Sequence, residues 1–176
     1  MTRGFLLAPT LLFPLVSCAP PPEPEFTDAD KAAIVAELDA VDDELNTLGI
    51  ANDQEGMMAF YVADPAPYFV GEPAMYLHSL RLLADKEAIR EFFAPMEESR
   101  QGTTFQPQEQ YTAVLSPTLA LRVAEVHWFI TNNEGETGDT FPLTSTTLWV
   151  KEAGAWKILH YHHSWSTTPV EETGSL

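Results

Sequence analysis

Five apolar side chains recur at spacings of three and four after Thr27: Ile34, Leu38, Val41, Leu45 and Leu48. That period predicts one amphipathic helix of about five to six turns. Thr27-Asp28-Ala29-Asp30 opens it as a variant capping box with an acid at the third position, and Gly49 closes it. Asp39, Asp42, Asp43 and Glu44 fall off the apolar stripe and read as its outer face. A second, short helix is predicted over 53–61, stopped by Asp64-Pro65. Tyr68-Phe69-Val70 reads as a strand before Gly71, whereas Met75 to Leu83 stays open between strand and helix. Asp85 caps a third helix through about Glu98, with Ile89, Phe92, Phe93 and Met96 on its apolar face. Pro95 is expected to bend or end it.

After Gly102 the pattern changes. Phe105 to Leu115, Leu119 to Thr131, Phe141 to Lys151 and Trp156 to Ser166 are rich in Val, Thr, Ile, Trp and Tyr. Turn residues separate them, so they read as long antiparallel strands joined by hairpins. Helices first and a meander after them give an α+β domain, with a curved sheet wrapped around helices and one concave face. Trp128, Phe129, Trp149 and Trp156 suggest apolar residues on both sheet faces. One helical layer covers one face, so the other is expected to meet a second copy in a homodimer.

The first residues obey a different logic. Met1 to Ser17 is apolar, begins with Arg3 as its one charge, and is interrupted by Pro9 and Pro14. It is too short to span a bilayer and reads as a signal peptide. Leu15-Val16-Ser17-Cys18 resembles the bacterial lipoprotein box. That resemblance implies lipidation at Cys18 and a protein held on the periplasmic or cell-surface side, touching the membrane through its lipid alone. Ala19 to Glu25 (APPPEPE) is a Pro-rich spacer, extended at about 3.1 Å per residue. The expected division is a signal peptide at 1–17, lipidated cysteine and spacer at 18–26, an α+β domain at 27–168 and a tail at 169–176. The 176 residues suffice for one such domain.

Charge and inventory then remove whole classes of function. With 9 Lys+Arg against 26 Asp+Glu, the net charge of -17 repels phosphate backbones and argues against nucleic-acid binding. One cysteine excludes an internal disulfide framework and a multi-cysteine zinc site. There is no Gly-x-Ser-x-Gly, no phosphate-binding Gly-rich loop and no dinucleotide fingerprint, so no cofactor is expected.

The last strand pair carries the most specific signal. Thr146-Thr147-Leu148-Trp149-Val150 leads through Glu152-Ala153-Gly154-Ala155 to Trp156-Lys157-Ile158-Leu159-His160-Tyr161-His162-His163-Ser164. This resembles the end of the nuclear transport factor 2-like superfamily, in its SnoaL-like branch. It is particularly similar to the association (hub) domain of calcium/calmodulin-dependent protein kinase II. The resemblance implies a cone-shaped α+β fold, N-terminal helices packed on a curved antiparallel sheet, a pocket between them, and dimers through the outer sheet face. The hub pocket has arginines where this chain has Thr147 and His163, so a carboxylate-binding pocket does not carry over. The resemblance puts His163, Tyr161, Thr147 and Trp149 on the pocket side.

Strict alternation along that strand places Ile158, His160, His162 and Ser164 on one face and Leu159, Tyr161, His163 and Trp165 on the other. Ligand-binding candidates are therefore His163, Tyr161, Thr147, Trp149 and Tyr61, facing a small, mainly apolar ligand. For acid–base chemistry the candidates are His163, Tyr161 and Asp64, with Glu125 as another nearby carboxylate. His160 and His162 read as structural, or as metal ligands with His127 from a neighbouring strand; no metal is the expectation. His78 lies in the ambiguous segment. Three functions stay open: a non-catalytic binding domain, an isomerase, dehydratase or hydrolase using the same pocket, and a homodimerising assembly module.

Overall fold

The computed structural model describes residues 26–63, 68–71, 81–99, 102–131 and 136–166. The stretch expected to be a signal peptide, Cys18, Asp64, His78 and residues 169–176 lie outside the described residues. The elements are α1 (Asp28–Ile50), α2 (Gln54–Met58), β1 (Tyr68–Gly71), β2 (Arg81–Leu83), α3 (Lys86–Ser99), β3 (Gly102–Ser116), β4 (Leu119–Thr131), β5 (Phe141–Glu152) and β6 (Ala155–Trp165). Each helix starts where a polar side chain meets its free backbone N–H groups. Thr27 Oγ1 accepts from Asp30 N at 3.2 Å while Asp30 Oδ2 accepts from Thr27 N at 2.8 Å. Asp53 accepts from Gly56 N and Asp85 from Ala88 N, both at 2.8 Å. Pro95 does not end α3, which continues to Ser99. Pro95 is exposed, so water can serve the backbone carbonyl it leaves unpaired.

The strands form one sheet in the order β2-β1-β6-β5-β4-β3. The four long strands are antiparallel neighbours, and β1 joins β6 in parallel. The β5–β6 hairpin closes on Ala153 (φ 49°) and Gly154 (φ 87°), a two-residue turn whose positive φ angles match the twist of the flanking strands. Three extra residues break the alternation. Gln108 and Leu115 bulge out of β3 against β4, and Leu159 bulges out of β6 against β5.

The helices cover the inner sheet face. One core joins Ile34 and Leu38 of α1, Met58, Tyr61, Leu83 and Ile89 to Ala120, Trp149, Trp156 and Ile158 of the sheet. A second, smaller core holds Ala124, Val126, Trp128 and Leu143, with the Trp128 and Phe141 rings 6.2 Å apart. Trp128, Trp149 and Trp156 are all buried on this inner side. These three tryptophans therefore fill one face instead of coating two. Among the described strand residues, the large apolar side chains left exposed are Tyr111, Leu115 and Val123, with Tyr111 and Val123 cross-strand partners.

Candidate functional site

The inner face is built in rows of cross-strand partners, and residues opposite one another share a face. Tyr161, Thr147, Arg122 and Thr112 form one row. His163, Ser145, Ala124 and Gln110 form the next, and Ile158, Trp149, Ala120 and Val114 lie on the other side. The bulge at Leu159 makes this possible. It moves Ile158 onto the face of Tyr161 and His163, so strict alternation fails for Ile158 while holding for the residues beyond the bulge. Tyr61 joins from a strap against β6: Ile158 N donates to Phe60 O at 2.6 Å, and Val62 N donates to Ile158 O at 3.1 Å.

Tyr61, Thr147, Trp149, Tyr161 and His163 are thus gathered on the helix-covered side. The Tyr161 and His163 rings meet edge-on with centroids 5.4 Å apart. Tyr161 shares a hydrogen bond with Ser145, and its hydroxyl is pushed far above the usual phenol range by burial and then by the Asp42 carboxylate. Burial, with Tyr161 nearby, does the same to Tyr61. Both phenols are therefore neutral at physiological pH and can donate a hydrogen bond.

Asp39 and Asp42 do not lie on an outward helix face. They turn onto Arg122, whose side chain is 3% exposed. Its Nη1 donates to Asp42, Nη2 to Asp39 at 2.7 Å, and Nε to Thr112 Oγ1 at 2.9 Å. Gln110 also donates to Asp39, at 3.2 Å. A buried guanidinium needs carboxylate partners, and α1 is the element above it. Burial raises the Asp42 carboxyl above its ordinary value, Arg122 opposes this, and Asp39 and Asp43 add to it. Glu37, on the other flank of α1, accepts from Trp156 Nε1 at 2.7 Å and Lys151 Nζ at 2.6 Å.

The remaining candidates fall elsewhere. Glu125 pairs with Glu109 and Thr144 on the outer face, away from His163. A shallow depression of about 390 Å³ lies beside it, lined by Glu125, Pro142, Leu143, Thr144, Ser164 and Ser166. His160 and His162 project outward opposite Leu148 and Thr146, while His127 stands opposite Pro142 near the far end of β5. The three histidines do not converge, and among the described residues no group of three His, Cys, Asp or Glu side chains does. The His160 imidazole is held below its ordinary value by partial burial and by His162.

Arg122, Asp42 and Ser145 are the site residues missed by reading the sequence. The available signal was a lone arginine inside the apolar run Ala120-Leu121-Arg122-Val123-Ala124, flanked two residues away by alanines. Such a charge in a buried strand demands a partner.

The profile of the SnoaL-like domain family matches residues 39–169. Among solved structures, a candidate scytalone dehydratase from Novosphingobium aromaticivorans superposes with a TM-score of 0.64 at 12% identity, covering 85% of this chain and 99% of that one. Hexachlorocyclohexane dehydrochlorinase LinA-type3 from Novosphingobium barchaimii gives 0.60 at 11% identity, covering 85% and 99%. A candidate calcium/calmodulin-dependent protein kinase II association domain from Xanthomonas campestris gives 0.60 at 17% identity, covering 74% and 86%. No match was found among curated proteins. The profile match, together with the helix-covered curved sheet, places this chain in the SnoaL-like family, with the nuclear transport factor 2-like fold.

Proposed function

We propose that the chain is a lipid-anchored, extracytoplasmic binding domain for a small, mainly apolar ligand. The ligand sits between α1 and the inner sheet face, oriented by Tyr61, Tyr161 and His163. The observation that carries this reading is the pair of buried, neutral phenols on the helix-covered face, one of them edge-on to His163, beside the apolar cluster of Ile34, Leu38, Trp149 and Ile158. Few polar groups in a largely apolar enclosure is the usual composition of a small-molecule site. Native mass spectrometry of protein from its own host tests it: a stoichiometric small-molecule adduct is expected. With that molecule in hand, His163→Ala should lower affinity by about 0.5–1.5 kcal/mol. Protein that carries no adduct from its host, and whose melting temperature no small apolar compound raises, would overturn the reading.

Anchoring is tested in the same host. Loss of residues 1–17 and lipid labelling at Cys18, abolished by Cys18→Ser, are the expected results. Unlabelled soluble protein with an intact N-terminus would refute the anchor. The outer sheet face, with Tyr111, Leu115 and Val123 exposed, supports a homodimer as the resting assembly.

A second reading is a lyase-type enzyme using the same interior. Asp42 favours it: a carboxyl with a raised pKa whose charge is felt by Tyr161, which touches His163, is a candidate proton acceptor. Two similar folds carry dehydratase and dehydrochlorinase names. Turnover of the identified ligand, lost in Asp42→Asn with binding retained, would establish this reading over the first.

A further inference from the structure

Six cationic side chains are described in this acidic chain, and four have carboxylate partners. Lys31 pairs with Asp28 at 2.9 Å, Lys151 with Glu37 at 2.6 Å, Arg90 with Glu55 and Glu87, and Arg122 with Asp39 and Asp42. Lys86 and Lys157 have no ion pair among the described residues. They are also neighbours. Both reach the strap that runs from the end of α2 past Tyr61: Lys157 Nζ donates to Ala59 O at 2.7 Å, and Lys86 Nζ to Tyr61 O at 3.4 Å. The Lys157 ammonium also lies 5.8 Å from the centre of the Phe60 ring.

Two like charges that reach the same strap repel each other, and a group of opposite sign between them relieves this. Among the described residues, the nearby acids are committed elsewhere. Glu55 and Glu87 serve Arg90, and Asp85 caps α3. Lys86 shows the cost: burial, then Lys157 and Arg90, lower its ammonium below the usual value, and Glu55 only partly offsets this. In a chain with 26 acidic residues, this is the pair of described cationic side chains without a carboxylate partner among the described residues, a local cationic spot. Each ammonium has three N–H donors and gives one to a backbone carbonyl, which leaves donors for a further acceptor.

We propose that Lys86 and Lys157 form a seat for the phosphate group of a small, soluble phosphate monoester, on the strap beside Tyr61. The two charges match a dianion, and lysine binds phosphate as a point charge without needing a planar fork. The seat does not depend on the reading of the interior as a ligand pocket.

The test uses the full chain and inorganic phosphate at constant ionic strength, which removes general screening. Chemical shifts of the lysine side chains are followed by nuclear magnetic resonance, with acetate as the control anion. Phosphate should shift the Lys86 and Lys157 side-chain signals saturably and raise the titration midpoint of Lys86, with acetate much weaker. Lys86→Gln and Lys157→Gln should each weaken the response about tenfold, the size of losing one charged contact. Equal responses to acetate and phosphate, or a phosphate response that survives in the double variant, would overturn the proposal. Sedimentation with phosphatidic-acid vesicles in the absence of any response to free phosphate would overturn it in favour of a membrane contact.

Discussion

Replacing Arg122 with methionine should detach α1 from the sheet on one flank. Arg122 makes three hydrogen bonds. The one to Thr112 is worth about 1 kcal/mol. The one to Asp42, whose side chain is 31% exposed, is worth about 2 kcal/mol, within the range for charged partners. Asp39 is 48% exposed, so its contact is close to a surface pair at about 0.5 kcal/mol. Methionine restores part of the packing along the arginine stem, leaving an expected loss of about 2–3 kcal/mol, or roughly 8 °C in melting temperature. Urea denaturation with an unchanged slope is the assay. Adding Asp42→Asn should return about 1 kcal/mol, because the carboxylate orphaned by the first change is removed. The pH profile supplies a second readout. The folded pKa of Asp42 is raised, so between its ordinary value and the folded one the native state holds more protons than the unfolded. Stability therefore falls as pH rises through that window, and in Arg122→Met the fall should steepen because the opposing charge is gone. A loss below about 1 kcal/mol, or strict additivity with Asp42→Asn, would show that the network is fully solvated and that α1 docks by apolar contact alone.

Three further outcomes follow from single positions. A Cβ on Gly102 would lie 2.4 Å from the Ile50 carbonyl oxygen, so Gly102→Ala should cost about 1–3 kcal/mol by thermal denaturation; a neutral result would mean the α1–β3 approach is looser than described. Ala153 holds φ at 49°, a conformation asparagine tolerates better, so Ala153→Asn should stabilise by about 0.5–1 kcal/mol, and destabilisation would contradict the turn assignment. Val123→Glu should convert the proposed dimer to monomer in sedimentation equilibrium without changing the melting temperature of the monomer; an unaltered dimer would move the interface off the outer sheet face, and a monomeric wild type would refute the dimer itself.

Much of the architecture was written in periodicity. Leu119 to Thr131 was legible to the residue, because Ser116-Pro117 and the polar run after Thr131 bound a stretch of β-branched and aromatic residues. The caps at Thr27 and Asp85 were legible for the same local reason, whereas Asp53, read as part of the second helix, caps it, and that helix ends at Met58. What escaped was non-local. Leu159 looks like any strand residue, and only pairing with β5 reveals that two residues of β6 oppose one there. Asp39 and Asp42 look like solvated charges until β4 brings Arg122 beneath them from 80 or more residues away in sequence. His163 and Tyr161 were assigned to the inner face through family resemblance, and the bulge keeps that assignment while moving Ile158 across. Trp128 and Trp149 point the same way because both sit on even-spaced inner rows of neighbouring strands, a relation that requires register and not composition.

The position of β3 has a consequence for how copies of this protein can meet. It is a 15-residue strand at the border of the sheet, long enough to template the addition of foreign chain along its free rim. Its sequence discourages that. Pro107 offers no N–H, Gln108 and Leu115 break the spacing at two points, and Asn46 of α1 reaches over to take the Phe105 N–H at 3.0 Å. Glu109 adds a charge that a second strand laid alongside would have to desolvate. Growth by rim-to-rim pairing, which has no natural stopping point, is thereby disfavoured, and the proposed dimer would have to form by closed, face-to-face contact instead.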